Sequence, residues 1–473
     1  MPTYRTQGKR SLNFLSAVLR WLARVMDRGL ARIDRYTGGR VTFRARDIAR
    51  VLTVPGSWRR ALLRFRPSVI NVSKRAKLRR INWEGIARVE KVYENDAESQ
   101  EGLAAETLAH QILGDRPWKM PLLNFTKQGY MMPLLPVGAR LDLAASRLSD
   151  DQKRLYAVEA VSIAFELYMA GVAHRDFHSE NIFLYDGHLL LSDYETLGQY
   201  PESTFGPFEE SYDMVAERME SPFGTDRMCY KSSNSKSLQN VLGVSLEEAL
   251  DGFRKVLIRE TVEACTSFMR TRADFGVPAQ RHQLNHGLVY GSIELPILRM
   301  SSDQAQRDST RRFEQFGIGS QGLQGMTVLD LGCNVGAMSF GAHVRGAKQV
   351  RGIEFDKGKV EIGNRIARFA GVESTQFRQG NIDELTVDGL GGPSDVVFCF
   401  AIEKHVDDTR HLYQLLGDVT SGTLYFEGNA GCEILQVEGY LRAQGFKQVE
   451  QLGMSDDESN EANNCRPLIV ARR

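Results

Sequence analysis

At 473 residues, 42% hydrophobic and 25% charged, the chain has a globular composition and the length of two or three domains, since one domain takes roughly 100–200 residues. No run approaches the ~20 apolar residues needed to cross a bilayer, and the first residues lack the uninterrupted apolar stretch of a secretory signal. The six cysteines (Cys229, Cys265, Cys333, Cys399, Cys432, Cys465) show neither CxxC pairing nor metal-ligand spacing, so free thiols in a reducing cytoplasm are expected.

The net charge of +1 hides an asymmetry. Residues 1–80 carry 21 Lys and Arg against three acids, Asp27, Asp34 and Asp47, and the rest of the chain is acidic in balance. A basic leader on an acidic body points to an anionic surface as its partner. Within that leader, residues 11–35 (SLNFLSAVLRWLARVMDRGLARIDR) predict an amphipathic helix. Leu15, Val18, Leu22, Val25 and Met26 recur at helical spacing, while Arg20, Arg24, Arg28 and Arg32 line another face. Such a helix suits an anionic membrane surface, with Trp21 at the interface. A helix docked on the protein's own core, arginines to solvent, has the same pattern. Nucleic acid would use the same charges through its phosphates, but no recognised nucleic-acid module accompanies them, which ranks it last.

From about residue 79 the pattern changes to short strands, RRINWEG and IARVEKVY, followed past the acidic ENDAESQEG by a helix over LAAETLAHQIL. MPLLNFTKQGYMMPLLP reads as two strands meeting at Gln128-Gly129, and a long helix is predicted over 151–169. The loop AHRDFHSENIFLYDGHLLLSDYE comes next, and helices are predicted to fill 244–273. In that loop His174, Arg175, Asp176 and Asn181 match the HRDxxxxN catalytic loop of protein kinases at every fixed position, and Asp193 of SDYE stands in the place of DFG. Phosphoryl transfer needs a carboxylate near the acceptor hydroxyl, Asp176, and oxygen ligands for the magnesium bridging the ATP phosphates, Asn181 and Asp193. Lys91 of VEKVY suits the strand lysine on the nucleotide phosphates, and Glu106 suits its helix partner, with Glu98 and Glu101 as competitors.

The segment therefore resembles a kinase-like phosphotransferase, with three departures from protein kinases. No GxGxxG precedes Lys91, only the turn Glu84-Gly85; His178 replaces the usual catalytic-loop lysine; and no APE follows Asp193. The histidine resembles kinases of small molecules and sugars, including lipopolysaccharide core kinases and aminoglycoside-type phosphotransferases. That resemblance implies a carbohydrate hydroxyl as phosphoryl acceptor.

From Val328 the chain alternates strand and helix: TVLDLGCNVG, KQVRGIEFD, TQFRQGN, SDVVFCF, GTLYFEG. Such alternation predicts a parallel sheet with helical crossovers. Asp330, Gly332, Cys333, Asn334 and Gly336 form an apolar strand running into a glycine turn and a helix, where the backbone can approach a ligand closely. Glu354 ends the next strand, placed to accept hydrogen bonds from both hydroxyls of a ribose. The glycine spacing differs from the dinucleotide fingerprint and resembles the DxGCxxG motif of class I methyltransferases. The resemblance implies S-adenosylmethionine as cofactor, with Asn381 and Ile382 at its adenine and Phe400, Glu403 and His405 at the active-site end of the fourth strand. His405 is the candidate catalytic base, with Glu403 as the other candidate if the methyl acceptor is a sugar hydroxyl, since a phosphate needs no base; a histidine capping the next helix fits the His405 position equally. Cys333 reads as small filler, and Tyr290-Gly291-Ser292-Ile293 with Arg299 as a lid over the substrate pocket.

The predicted fold class is multidomain: a basic amphipathic helical segment over 1–78, an α+β kinase-like bilobal domain over 79–285, and an α/β Rossmann-like class I methyltransferase domain over 286–473. The pairing resembles the bifunctional kinase–methyltransferases that cap bacterial O-antigen polysaccharides, with the domain order reversed. It implies a polysaccharide or glycolipid acceptor that is phosphorylated and then methylated on that phosphate as a chain cap, with a sugar hydroxyl as the other methyl acceptor. It also implies glycosyltransferases as partners, Mg and ATP beside S-adenosylmethionine, and a place on the inner face of the bacterial membrane. Three other readings share the motifs: two independent glycan modifications, a methyltransferase with an inactive kinase-like module, and an RNA methyltransferase gripping phosphates with its leader.

Overall fold

The computed structural model describes residues 69–72, 76–199, 234–270, 280–283, 287–459 and 464–473. The amphipathic helix expected over 11–35 lies outside them. Two compact units emerge, one drawn from 69–163, 172–199 and 234–244, the other from 164–171 and 245–473. Among the described residues no helix is long and apolar enough to cross a membrane.

The first unit is built on an antiparallel sheet of order β1-β2-β3-β5-β4, with β1 Val69–Val72, β2 Ala76–Trp83, β3 Ile86–Tyr93, β4 Leu123–Thr126 and β5 Gly129–Pro133. Strands β2 and β3 meet at Glu84-Gly85, both at positive φ (52° and 79°), the two-residue hairpin whose twist suits paired strands. In β3 the alternate residues Val89, Lys91 and Tyr93 are buried, the period of a half-covered strand. β5 passes so close that a Cβ on Gly129 would fall 1.9 Å from the Lys91 carbonyl oxygen. Only glycine fits there, and its presence sets the register that puts Tyr130 opposite Lys91. Helix α1, Ala97–Leu113, starts at Asp96, whose side chain accepts from the Ser99 N–H, and it buries Leu103 and Glu106. Helix α2 runs Asp150–Met169, and a second two-residue turn, Asp186-Gly187, joins β6 (Ile182–Tyr185) to β7 (His188–Leu191).

The second unit contains α3, Leu246–Cys265, begun by Ser245 accepting from the Glu248 N–H. The helical stretch expected to reach 273 ends here, and Ser267–Arg270 instead pairs as a strand with Gln280–Gln283. Next come a short parallel pair, Val289–Gly291 with Ala305–Arg307, and the helix α4, Ser309–Gln315. A seven-stranded sheet follows: β8 Thr327–Leu331, β9 Gln349–Glu354, β10 Thr375–Gln379, β11 Ser394–Phe400, β12 Thr420–Glu427, β13 Gln448–Met454 and β14 Pro467–Arg472. Its order is β10-β9-β8-β11-β12-β14-β13. The first five strands are parallel, and β14 runs antiparallel to both its neighbours. Between them lie α5 (Ala337–Val344), α6 (Lys357–Ala370), α7 (Thr409–Val419) and α8 (Ile434–Ala443).

Each central strand is apolar on both faces, as a doubly covered parallel sheet requires. Leu329, Leu331, Val397, Cys399, Leu424 and Phe426 face the core that α7 and α8 complete with Leu412, Leu416 and Leu441. Val328, Val350, Val396, Phe398 and Phe400 face the other, filled by Phe313, Phe316, Met338 and Ala342. The order turns back on itself between β8 and β11, and open α/β sheets bind their ligands at the carboxyl ends of such strands.

Candidate functional site

In the first unit Lys91, 6% exposed, meets Glu106, 0% exposed. Lys91 Nζ donates to Glu106 Oε1 at 2.9 Å and to Asp193 Oδ1 at 2.5 Å, and lies 3.6 Å from Glu195 Oε2. Tyr130 OH donates to the same Glu106 oxygen at 2.8 Å and Tyr93 OH at 3.4 Å. Burial alone would lower the Lys91 pKa, but the Asp193 and Glu106 carboxylates outweigh it and hold the ammonium well above its usual range. Glu98, a rival to Glu106 by sequence, falls in the first turn of α1.

The loop bearing Asp176 is anchored by His174, buried, whose Nε2 donates to the Ser192 carbonyl at 2.9 Å. Arg175 (φ 61°) and Asp193 (φ 70°) are left-handed, a conformation that residues with side chains seldom adopt and that gathers at functional sites. Asn181 Nδ2 donates to Asp176 Oδ2 at 3.1 Å, and His178 Nε2 stands 3.1 Å from Asp176 Oδ1. The Glu180 N–H donates to His178 Nδ1 at 3.1 Å, which assigns the ring proton to Nε2, facing Asp176. That hydrogen bond raises the His178 pKa against its partial burial. Burial would raise Asp176, yet His178 more than offsets it and lowers the carboxyl. The Asn181 carbonyl accepts from Ser192 N at 3.0 Å, which sets Asn181 beside the Asp193 segment.

In the second unit β8 runs through the glycine turn into α5. Gly332 (φ 70°) and Gly336 (φ 95°) are left-handed, and a Cβ on them would lie 2.5 Å from Ile402 Cγ2 and 2.3 Å from Phe377 Cζ. Both positions therefore exclude a side chain on two grounds. Between them the Asn334 N–H donates to Glu354 Oε2 at 2.9 Å, and the Asp356 N–H to Glu354 Oε1 at 3.0 Å. Glu354, at the end of β9, is thus aimed by the backbone on either side. Asp330, buried in β8, accepts from Ser339 Oγ at 2.6 Å, and burial pushes its carboxyl up to about 7. Burial likewise drives the Cys333 thiol well above its ordinary value, which leaves it inert. Asn381 opens the turn Ile382–Glu384: its side chain accepts from Asp383 N at 3.3 Å and donates to Glu384 Oε1 at 3.0 Å, while Ile382 packs on the core.

Phe400 and His405, read by sequence at the active-site end, and Arg299, read as part of a lid, are placed as follows. Phe400 is buried in an aromatic stack with Phe398 and Phe316, each at 5.3 Å, because alternate strand residues share a face. The residue that touches the glycine turn is Ile402. His405 is exposed in the turn Glu403–His405, and Asp408 caps α7, accepting from the Arg410 and His411 N–H groups. Arg299 is exposed and pairs with Glu294 on a small hairpin, whereas Gly291, next to Tyr290, packs against Ala337 at the start of α5.

A charge cluster was not read from the sequence. Arg307 makes a two-pronged contact with Asp457 at 2.9 and 2.7 Å, and donates to Glu427 at 2.9 Å. Glu458 lies 3.2 Å from Arg307, and Arg312 bridges Glu427 and Asp457 at 3.1 and 3.0 Å. The one legible member was Glu427, an acid ending the apolar strand TLYFE as Glu354 ends β9.

Residues 323–467 match a family model described as a methyltransferase domain. Over 132 residues the chain is 32% identical to the ribosomal protein L11 methyltransferase of Bacillus pumilus, covering 28% of this chain and 40% of that protein. Over 125 residues it is 33% identical to sphingolipid C9-methyltransferase A of Emericella nidulans, covering 26% of this chain and 23% of that one. The chain thus spans less than half the length of the curated relatives it matches. An S-adenosylmethionine-dependent methyltransferase structure from Mesorhizobium loti is similar at 15% identity and a TM-score of 0.27, over 34% of this chain and 96% of that one. The matched segment opens just before β8 and holds Asp330, Gly332, Gly336, Glu354 and Asn381. Residues 323–467 are a methyltransferase domain.

Proposed function

We propose that the chain modifies a cell-surface polysaccharide or glycolipid at two sites, one transferring methyl from S-adenosylmethionine and one transferring phosphoryl from ATP to a sugar hydroxyl. The methyl-transfer half rests on the glycine turn and Glu354 at the point where the sheet order reverses. There Glu354 accepts from the ribose hydroxyls, Asn381 and Ile382 border the adenine, and the bare backbone of Gly332 lets the donor lie close.

The phosphoryl half is supported by one observation above others: the buried Lys91–Glu106 pair reaches a carboxylate, Asp193, whose side chain is 38% exposed. In this reading Lys91 holds the nucleotide phosphates and Asp176 takes the proton of the acceptor hydroxyl. Asn181 and Asp193 would hold magnesium, which keeps several waters and takes few protein oxygens; it supplies neutralisation of phosphate charge. That donor set fits, since the Asp193 side chain is 38% exposed and Asn181 turns its Nδ2 to Asp176, which leaves its amide oxygen as a donor to the metal. The basic leader, in the same reading, meets anionic lipid where a lipid-linked glycan lies. The tight Glu84-Gly85 hairpin, in place of a glycine-rich loop, favours a second reading in which this unit binds nucleotide without transferring it.

Incubation of the full chain with lipid-linked glycan extracts, once with phosphate-labelled ATP and once with methyl-labelled S-adenosylmethionine, tests both halves. Both labels should enter glycan. Methyl label alone would leave the second reading standing, and label in neither would overturn the proposal.

A further inference from the structure

The turn after β11 is built more firmly than the cofactor motifs require. Ala401 is left-handed (φ 56°), an uncommon conformation for a residue with a Cβ. Its carbonyl accepts from Asn429 Nδ2 at 2.9 Å, and the Lys404 N–H donates to Asn429 Oδ1 at 3.1 Å. A buried amide just past the end of β12 thus grips the segment 401–404 at both ends. On one side Ile402 abuts Gly332 of the cofactor turn. On the other, Asp383, two residues beyond Asn381, accepts from the Asp407 and Asp408 N–H groups at 3.0 Å each. Glu403 stands between these two walls, at the carboxyl end of the strand where the sheet order reverses.

Its carboxylate is oriented by two weak acids. Tyr413 OH donates to Glu403 Oε1 in a short hydrogen bond, and the Cys432 thiol also bonds to Glu403. Burial first, and the Glu403 charge second, push both donors up, Cys432 to about 12, so they stay protonated while Glu403 remains the acceptor.

We propose that Glu403 faces the methyl group in flight and takes the proton of a neutral hydroxyl acceptor, which makes a sugar hydroxyl, not a phosphate, the substrate of this site. The proposal rests on the methyl-transfer reading above. An acceptor lone pair forms the O–CH3 bond while the S–CH3 bond breaks, its electrons passing to sulfur to give S-adenosylhomocysteine. The hydroxyl proton goes to Glu403 and from there to water. A phosphate oxygen needs no such base, and its negative charge would meet a fixed carboxylate.

Sinefungin, which carries an ammonium in place of the transferable methyl, reports the charge facing that point. Calorimetric titration of the full chain should show sinefungin binding roughly tenfold or more tighter than S-adenosylhomocysteine, the worth of one charge-assisted contact. Glu403→Gln should erase that preference and leave S-adenosylhomocysteine affinity as it was. A preference unchanged in Glu403→Gln overturns the proposal while the methyl-transfer reading survives. If the wild-type chain binds neither ligand, the methyl-transfer reading itself falls and takes this one with it. Should the glutamine variant not fold, Glu403→Asp reads the same contact: retreat of the charge by one methylene should weaken the preference, and no change counts against the role.

Discussion

Two clusters of buried charge in this chain differ in whether they are closed. In the second unit Arg307, Arg312, Glu427, Asp457 and Glu458 have side chains between 0% and 3% exposed, and they meet one another. In the first unit the Lys91 and Glu106 side chains are also buried, at 7% and 0% exposed, but their third member, Asp193, opens to solvent at 38%. In the second unit, with Arg466, 18% exposed and 3.5 Å from Glu427, three cations face three carboxylates, so the charges answer one another and fix the segments they join, 305–312 and 457–458, onto the end of β12. An open cluster holds a charge that a ligand can take over, which is why strongly paired groups beside an opening mark functional sites.

The sharpest way to break this contrast is to remove the cation from each cluster. Arg307→Met strands buried carboxylates and should cost about 3–5 kcal/mol in urea unfolding, with S-adenosylhomocysteine affinity lost only as the fold is lost. A cost under about 1 kcal/mol would show those carboxylates to be solvated and erase the distinction. Lys91→Met should cost less, about 1–3 kcal/mol, because Tyr130 and Tyr93 still donate to Glu106. Its larger effect should be loss of MgATP binding, followed by nucleotide titration; unchanged affinity would deny the open cluster its proposed role.

A smaller effect sharpens the second unit alone. Asp330 titrates near 7 in the folded chain against an ordinary value of 3.8. Between those values the folded chain keeps a proton that the unfolded chain has lost, so stability falls as pH rises through the window. Asp330→Asn removes that slope. The variant should melt above the wild type at pH values past 7 and close to it near 3.8; a constant offset across the range would contradict the burial of this carboxyl.

How much was legible follows from the same contrast. The central parallel strands stand out because strands covered on both faces are largely apolar runs, as in TVLDL and SDVVFCF, whereas the edge strand TQFRQ alternates. The glycine turn was readable because its sterics are local. Phe400 ends β11 as the sequence placed it, but its stacking on Phe316 and Phe398 was not legible, because sequence gives a residue's distance from a strand end more readily than the face it takes. Tyr130 was missed since its place opposite Lys91 depends on how β5 registers on β3. Arg307 was missed because its partners lie 120 and 150 residues away, beyond any periodicity.

The most direct test of the account is calorimetric titration of the full chain with S-adenosylhomocysteine, repeated on Glu354→Ala. The wild type should bind one molecule per chain, and the variant should lose roughly a hundredfold in affinity, the worth of two hydrogen bonds to a charged acceptor. Equal affinity in the two proteins would contradict the placement of the methyl donor between the glycine turn after β8 and the end of β9.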